Sequence, residues 1–451
     1  MRVPQISKID PLARLAALAD VGSLAPFPDA GASPYLSRWG IAPASDDGVV
    51  CARLDVGGMH VLAMAQDAHF LGGSIGAHHA AALQRLFHRA LDERPAAVVL
   101  LVDSGGVRLH EANAAELALA RALRMLFEVR SAGIPTLAIV TGAAFGGASV
   151  LAAACENLRF LPGARFGLSG PGVIETAHGK AELDADDPIA VAALFGASAR
   201  VAAGIGTLVD ADIAALRDAI HVAAGHPSPF DTRALGRWDG KLAARLAAAG
   251  LAPEAGTPPA ISLLEDATAV DASGWLWRIR DSDVHVLRPL APRAFGPAVA
   301  VAIAHAIADF LPPCAPLVVV EDSPGHAATR AAEALGVSEY LAAHAAWLAL
   351  LQKDGHAVLG LLAGCGHSAA FFVNALQAAT LDVLAHARSE AMAPDAIARV
   401  TRLPAEALAA LIEDDTLMGH PARHLSALGG VARTHAGMTS KALLARVAEL
   451  R

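Results

Sequence analysis

Aromatic residues are scarce in this chain. Phe, Trp and Tyr together make up 4% of 451 residues, although 54% are hydrophobic. Cores must therefore be assembled from Ala, Val and Leu, which favours helix-rich α/β packing with close backbone approach. Cysteine is also rare. Cys51, Cys155, Cys314 and Cys365 are scattered without a CxxC pair, so their spacing indicates neither a zinc site nor a disulfide framework and fits a reducing cytoplasm. Positive charge is in deficit too. A net charge of −9 argues against nucleic acid or an anionic membrane surface as the main partner. The opening segment MRVPQISKIDPLARLAALAD carries charges throughout and has no apolar h-region of a signal peptide. Two uncharged stretches, Ala132–Cys155 and His356–Leu381, are each broken at the middle by a glycine-rich turn. They read as soluble strand–helix units rather than membrane spans. The length calls for two or more domains.

What is present is organised around Pro135 to Cys155, PTLAIVTGAAFGGASVLAAAC. The pattern predicts a buried strand over Thr136–Val140, a turn over Thr141–Gly147 and a helix from near Ala148. Gly146 and Gly147 stand where strand hands over to helix. Glycines there let the backbone come close to a ligand, and their amides lie at the positive end of the helix dipole. Fixed neutral N–H groups of this kind suit a developing oxyanion. The other reading is a tight turn without chemistry.

Taken in order, residues 48–66 predict a hairpin around Val56-Gly57-Gly58. Gly72-Gly73-Ser74-Ile75-Gly76 fits G-x-S-x-G formally, but no buried strand leads into Ser74 as a nucleophile elbow requires. It reads as a glycine loop ahead of a helix. The strand AAVVLLVD then runs into Ser104-Gly105-Gly106-Val107-Arg108, and a helix is expected over Ala114–Ala132 with Asn113 as its N-cap. NLRFLPGARFGLSGPGVIE predicts two short strands and a turn, and Leu208–Ala224 a closing helix. Gly225–Pro259 reads as a linker with one short helical piece, KLAARLAAAG.

The second half repeats the first. The strand Leu317–Glu321 enters Asp322-Ser323-Pro324-Gly325. The strand AVLGLL follows, then the turn Ala363–Ala369 and the helix AFFVNALQA. From Asp103 to Gly147 is 44 residues, as it is from Asp322 to Gly366. Equal spacing of two strand–turn units argues for one fold used twice. If neighbouring parallel strands carry the turns, one N–H from each can converge on a single oxygen at the sheet edge. Two such half-sites facing each other, within the chain or across a dimer, would form a cleft with two anion-binding poles.

DSGGVRLHEAN, the Gly146-Gly147 turn, GLSGPGVIE and FLGGSIGAHH resemble the β subunit of biotin-independent malonate decarboxylase. EDSPGHAATRAAEALGVSEYLAAHAAWLALL, the turn GCGHSAAFF and AMAPDAIARVTRLP resemble its γ subunit. The resemblance covers most of Gly48–Val222 and of Ala260–Gly430. It implies an α/β chain of two tandem crotonase-like, carboxyltransferase-type ββα spiral domains. Residues 1–235 would be the β-like N-type domain, 236–259 a linker and 260–451 the γ-like C-type domain.

The reaction it implies is decarboxylation of a malonyl thioester on an acyl carrier protein, giving an acetyl thioester and CO2 through an enolate. By position, the first oxyanion hole would use Gly106 or Val107 with Gly146 and Gly147. The second would use Ser368 and Ala369, with Gly325 nearby. His367, which stands where the γ-type turn has an apolar residue, is a candidate proton donor beside bound water. Gly72, Gly73, Ser74 and Arg108 are expected near the CoA-derived arm of the substrate, with Arg108 and Glu111 also reading as a structural ion pair. His78 and His79 read as a phosphate contact or as surface histidines. Asp103 and Asp322 are expected to bind the amides of the following turns, and no role follows for Glu175. No metal or tightly bound cofactor is expected. The substrate would arrive on the prosthetic group of an acyl carrier subunit or on CoA, with a malonate transferase subunit as a further partner and a self-dimer allowed.

Three alternatives stand beside this. A biotin-dependent carboxyltransferase would share both oxyanion holes, and the chain holds no biotinyl Met-Lys motif of its own. A scaffold that merely binds a carrier has no need of the glycine turns. An NAD(P)-dependent oxidoreductase would use Gly364-Cys365-Gly366-His367-Ser368-Ala369 as G-x-G-x-x-A, with Asp382, 18 residues on from Gly364, as the ribose acid.

Overall fold

Unbroken apolar runs become the buried centre of two sheets. The computed structural model describes residues 9–28, 31–256 and 265–451. Residues 257–264, where the linker was expected to end and the second domain to begin, lie outside the described residues, as does the start of the expected first domain. The chain divides into two compact units. One comprises the chain through Phe230 together with Ala328–Glu339; the other comprises Asp231–Ala327 and Tyr340–Arg451.

The first unit holds an eight-stranded mixed sheet. Val49–Val56 and Met59–Gln66 form the expected antiparallel hairpin, with Val56 opposite Met59. Ala97–Ser104 and Thr136–Ala144 then add in parallel, followed by Asn157–Phe160. In AVVLLVDS the first six residues are buried, and polarity begins at Asp103, where the strand leaves the core. Val99, Leu101, Leu137 and Ile139 share a core cluster with Leu216 and Ile220, each such side chain contributing roughly 1.5–3 kcal/mol on full burial. Thr136–Ala144 runs past the expected end at Val140 because Ala143 and Ala144 pair with Arg165 and Phe166. The helix accordingly starts at Gly146. The helix Ala112–Ser131 likewise starts early, and Asn113 lies inside it rather than capping it.

The second unit holds a seven-stranded sheet whose parallel centre is His285–Leu287, Leu317–Glu321, Val358–Leu362 and Thr380–Leu384. A separate two-stranded ladder pairs Cys365–His367 with Arg388–Glu390. Thr232–Ala248, about half of the segment read as a linker, is a 17-residue helix capped by the Asp231 side chain. Leu235, Asp239, Leu242 and Leu246 form its buried stripe at helical spacing, a pattern that Gly236 and Gly240 obscure in the sequence. Tyr340 Oη donates to Leu242 O at 2.9 Å, and Trp347 Nε1 donates to Asp239. Among the described residues, no helix is long and apolar enough to cross a membrane.

Candidate active site

Two strand ends build the site of the first unit. Asp103 ends one strand, and its Oδ1 accepts the amide of Ala143 on the next at 2.9 Å. A Cβ on Gly142 would collide with that carboxylate. Burial pushes the Asp103 carboxyl above its usual range, against the pull of the Ala143 amide. Ser104 Oγ accepts from Gly106 N at 3.1 Å. Gly105 N donates to Gly72 O, Ile75 N to Gly106 O and Arg108 N to Ile75 O, each at 2.8–2.9 Å. On the facing turn, Phe145 N donates to Ser104 O at 3.0 Å, Gly146 N to Leu168 O at 2.9 Å and Ala148 N to Phe145 O at 3.1 Å.

This pattern narrows the expected donor set. The amides of Gly106 and Gly146 are engaged inside the fold. From Gly105 to Arg108 and from Phe145 to Ala148, only the amides of Val107 and Gly147 have no acceptor among the described residues. The turns are in backbone contact: a Cβ on Gly106, where φ is +108°, would lie 3.0 Å from Phe145 O and 3.3 Å from Gly146 Cα. A Cβ on Gly146, where φ is +53°, would lie 4.0 Å from Val107 N.

The second unit reproduces this wiring. Asp322 Oδ1 accepts from Cys365 N at 2.9 Å, and a Cβ on Gly364 would collide with that carboxylate. Ser323 Oγ accepts from Gly325 N at 3.3 Å. Phe295 N donates to Gly325 O at 2.8 Å and Ala327 N to Phe295 O at 3.1 Å. Gly325 has φ +103°, and Ser368 opens its helix at φ +53° as Gly146 does. A serine held left-handed costs about 1–2 kcal/mol, the kind of strain that collects at functional turns. These bonds match Gly147 with Ala369. The equal 44-residue spacing had matched Gly147 with Gly366, which is instead a packing position: a Cβ there would lie 2.8 Å from the Phe371 ring.

His326, which occupies the place of Val107, was not singled out in the sequence. Its signal was its position directly after DSPG, as Val107 follows DSGG. Its Nδ1 lies 3.4 Å from Ser368 Oγ. Lost hydration, with His367 adding to it, lowers its pKa to about 4. The His367 ring packs over Gly325, whose added Cβ would lie 3.4 Å from Cγ and Cδ2. Its Nδ1 is 3.7 Å from Glu390 Oε2.

Other expected contacts are engaged elsewhere. Arg108 is 1% exposed. Its Nη1 binds Asp47 at 2.7 Å and Glu111 at 2.9 Å, and Nη2 donates to Asp47 O and Ser74 O. That guanidinium is an internal tie and not a contact for a substrate arm. Gly73 is buried against Asp103, where a Cβ would collide with the carbonyl oxygen, whereas Gly72 is exposed. Ser74 Oγ sits 3.4 Å from Arg108 Nε. His79 is fully buried, 3.1 Å from Gln66 Nε2, so it is not a phosphate contact; His78 is half-buried. Glu175 Oε2 accepts from Ala185 N at 2.7 Å and holds a loop. Asp382 is fully buried and bound by Arg446 Nε and His435 Nε2, both at 2.8 Å, which removes the ribose acid from the oxidoreductase reading.

Glu333 also escaped the sequence reading. It is fully buried in the first unit, and its carboxylate accepts from Leu168 N at 3.1 Å and Ser169 N at 2.5 Å. Leu168 O is the acceptor of Gly146 N, so Glu333 braces the turn that braces the glycine turn.

Residues 11–203 match the family described as carboxyl transferase domain, and residues 293–450 match the malonate decarboxylase gamma subunit. The chain thus carries a region similar to a carboxyl transferase domain followed by one similar to the malonate decarboxylase gamma subunit. It is 34% identical over 171 residues to the malonyl-S-ACP:biotin-protein carboxyltransferase MADC of Malonomonas rubra, covering 34% of this chain and 54% of that protein. It is 31% identical over 188 residues to the acetyl-coenzyme A carboxylase carboxyl transferase subunits beta/alpha of Salinispora arenicola, covering 39% of this chain and 33% of that protein. The matched parts thus span about half or less of these curated relatives. The crystal structure of a Pseudomonas malonate decarboxylase hetero-tetramer in complex with malonate aligns at 30% identity and a TM-score of 0.47, covering 50% of this chain and 86% of that one.

Proposed function

We propose that the chain decarboxylates a malonyl thioester, carried on an acyl carrier protein or on CoA, and that each unit is a crotonase-like domain of the carboxyltransferase type. The observation that carries this reading is the pair of amides at Val107 and Gly147, fixed by neighbouring strand ends and without acceptors among the described residues. They would donate to the thioester carbonyl oxygen. As the bond to the carboxyl carbon breaks, its electron pair moves into the C–C–O system and CO2 departs. The enolate oxygen then carries the charge that the two amides face. Removing one such donor costs roughly 3–4 kcal/mol of transition-state stabilisation. In the second unit the equivalent turn, with Ala369 in the place of Gly147, would bind an anion in the same manner. With the His367 ring directed at Glu390 and packed on Gly325, a water molecule gives a proton to the enolate carbon and forms the acetyl thioester. The hydroxide left behind takes up the released CO2 as bicarbonate.

A second reading has support of its own, because the Malonomonas rubra relative is named a biotin-protein carboxyltransferase. Both readings share the enolate and differ only in the fate of the carboxyl group. One experiment separates them. The purified chain is given malonyl-CoA, then a malonyl-loaded carrier protein, without biotin or ATP, and CO2 and the acetyl thioester are measured. Release of both supports decarboxylation. Turnover that begins only when a biotinylated acceptor is added moves the assignment to carboxyl transfer, and no turnover under any condition overturns both.

A further inference from the structure

The short ladder beside the second turn puts a thiol, an imidazole and a carboxylate on one face. Cys365 and His367 are two residues apart on one strand and so project to the same side. His367 is paired in register with Glu390 on the neighbouring parallel strand. The ligand atoms of Cys365, His367 and Glu390 all lie within 4.8 Å of one another. The 3.7 Å between His367 Nδ1 and Glu390 Oε2 approaches the roughly 3.3 Å expected of two ligands that share a tetrahedral ion at about 2.0 Å each.

The carboxylate is also oriented from behind. Glu390 Oε1 is 3.4 Å from Nδ1 of His420, which is 4% exposed and whose carbonyl accepts from Ser389 N at 2.7 Å. A second hydrogen-bonding layer of this kind is what holds metal ligands in place. Soft sulfur combined with nitrogen and one carboxylate oxygen selects zinc-class ions over magnesium or calcium.

We propose that Cys365, His367 and Glu390 form a binding site for a divalent ion of the zinc class, with a fourth position open to an oxygen ligand. Because Ser368 follows His367 directly, the ion would pin the strand that leads into the Ser368–Ala369 turn. The Cys-x-His pair is too short to stand out as a motif, and its third ligand lies 23 residues on.

The test uses the full chain, stripped with chelator and titrated with Co2+ alone. One equivalent should produce near-ultraviolet thiolate-to-cobalt charge-transfer absorption and intense visible bands of tetrahedral cobalt, displaced by Zn2+. Cys365→Ser should abolish the charge-transfer band, while Cys314→Ser, at an exposed cysteine, should leave it intact. Glu390→Gln should weaken binding by at least tenfold. Absence of the band, or a band that survives Cys365→Ser and is lost with Cys314→Ser, would overturn the site. If Cys365→Ser does not fold, alkylation mapped by mass spectrometry decides on the native chain: Zn2+ should protect Cys365 selectively, and equal labelling with and without Zn2+ counts against it.

Discussion

Glu333 holds Leu168. Its carboxylate accepts the Leu168 amide at 3.1 Å across 165 positions of sequence, and Leu168 O in turn receives Gly146 N. Burial raises the pKa of Glu333 to about 7, against the opposing pull of the Ser169 and Leu168 amides. The native state therefore binds this proton more tightly than the unfolded chain, whose carboxyl keeps a pKa near 4.5. Its stabilising effect is complete below that value and is lost as pH rises towards 7. Glu333→Gln keeps an acceptor and cannot ionise. Denaturant unfolding at pH 5, 6, 7 and 8 should show the variant gaining on the wild type as pH rises, by at most about 3 kcal/mol. Parallel pH profiles would remove Glu333 from this account.

Gly106→Ala should be worse for turnover than Gly147→Ala. At Gly106 an added methyl meets backbone, Phe145 O and Gly146 Cα, at positive φ. At Gly147 its nearest neighbour is Leu119 Cδ2 at 2.6 Å, the tip of a side chain that can turn aside. Separating the turns moves the Val107 amide, so Gly106→Ala should lose roughly 10²–10³ in kcat while circular dichroism still reports a folded protein. Equal activity in the two variants would contradict the placement of the donors.

Arg108→Met should report on stability and leave substrate affinity alone. It removes the cation from between Asp47 and Glu111, both fully buried, and breaking one side of a buried ion cluster typically costs about 3–5 kcal/mol. The loss should appear in the unfolding midpoint. A raised KM with unchanged stability would restore Arg108 to the binding surface.

The repeat can be tested by matched substitutions. Gly142→Ala and Gly364→Ala each drive a methyl into an aspartate carboxylate, Asp103 and Asp322 respectively. Overpacking of this kind costs roughly 1–3 kcal/mol. Asp103→Ser should recover part of the loss in Gly142→Ala, as Asp322→Ser should in Gly364→Ala. Simple additivity in both cycles would argue against the shared wiring.

Much of this was readable from one dimension. Strands such as Ala97–Ser104 and Val358–Leu362 announce themselves because a strand buried on both faces admits no polar residue until it leaves the sheet. Turns at Asp103 and Asp322 follow from the same rule. What escaped depends on register or on distant partners. Which amides stay free was decided by Leu168 and Ser104, and no local pattern tells Gly146 from Gly147 as a donor. Equal spacing misplaced Gly366, because the second half has 42 residues from Asp322 to Gly364 where the first has 39 from Asp103 to Gly142. The step from that glycine to the left-handed position is four in both, Gly142 to Gly146 and Gly364 to Ser368. Glu390 joins His367 only through strand pairing, and Glu333 reads as an ordinary surface acid of a helix until the fold buries it.

The membership of Ala328–Glu339 in the first unit has a consequence for anyone dividing the gene. A fragment ending near residue 235 would lack Glu333 and leave the amides of Leu168 and Ser169 without their acceptor. It should be expressed poorly or aggregate, and should be rescued by supplying the missing twelve residues, as a separate peptide or spliced on by a flexible tether. The two halves are thus not interchangeable cassettes. The reading frame carries a loan from its second part to its first, and a cut at the apparent seam would sever it.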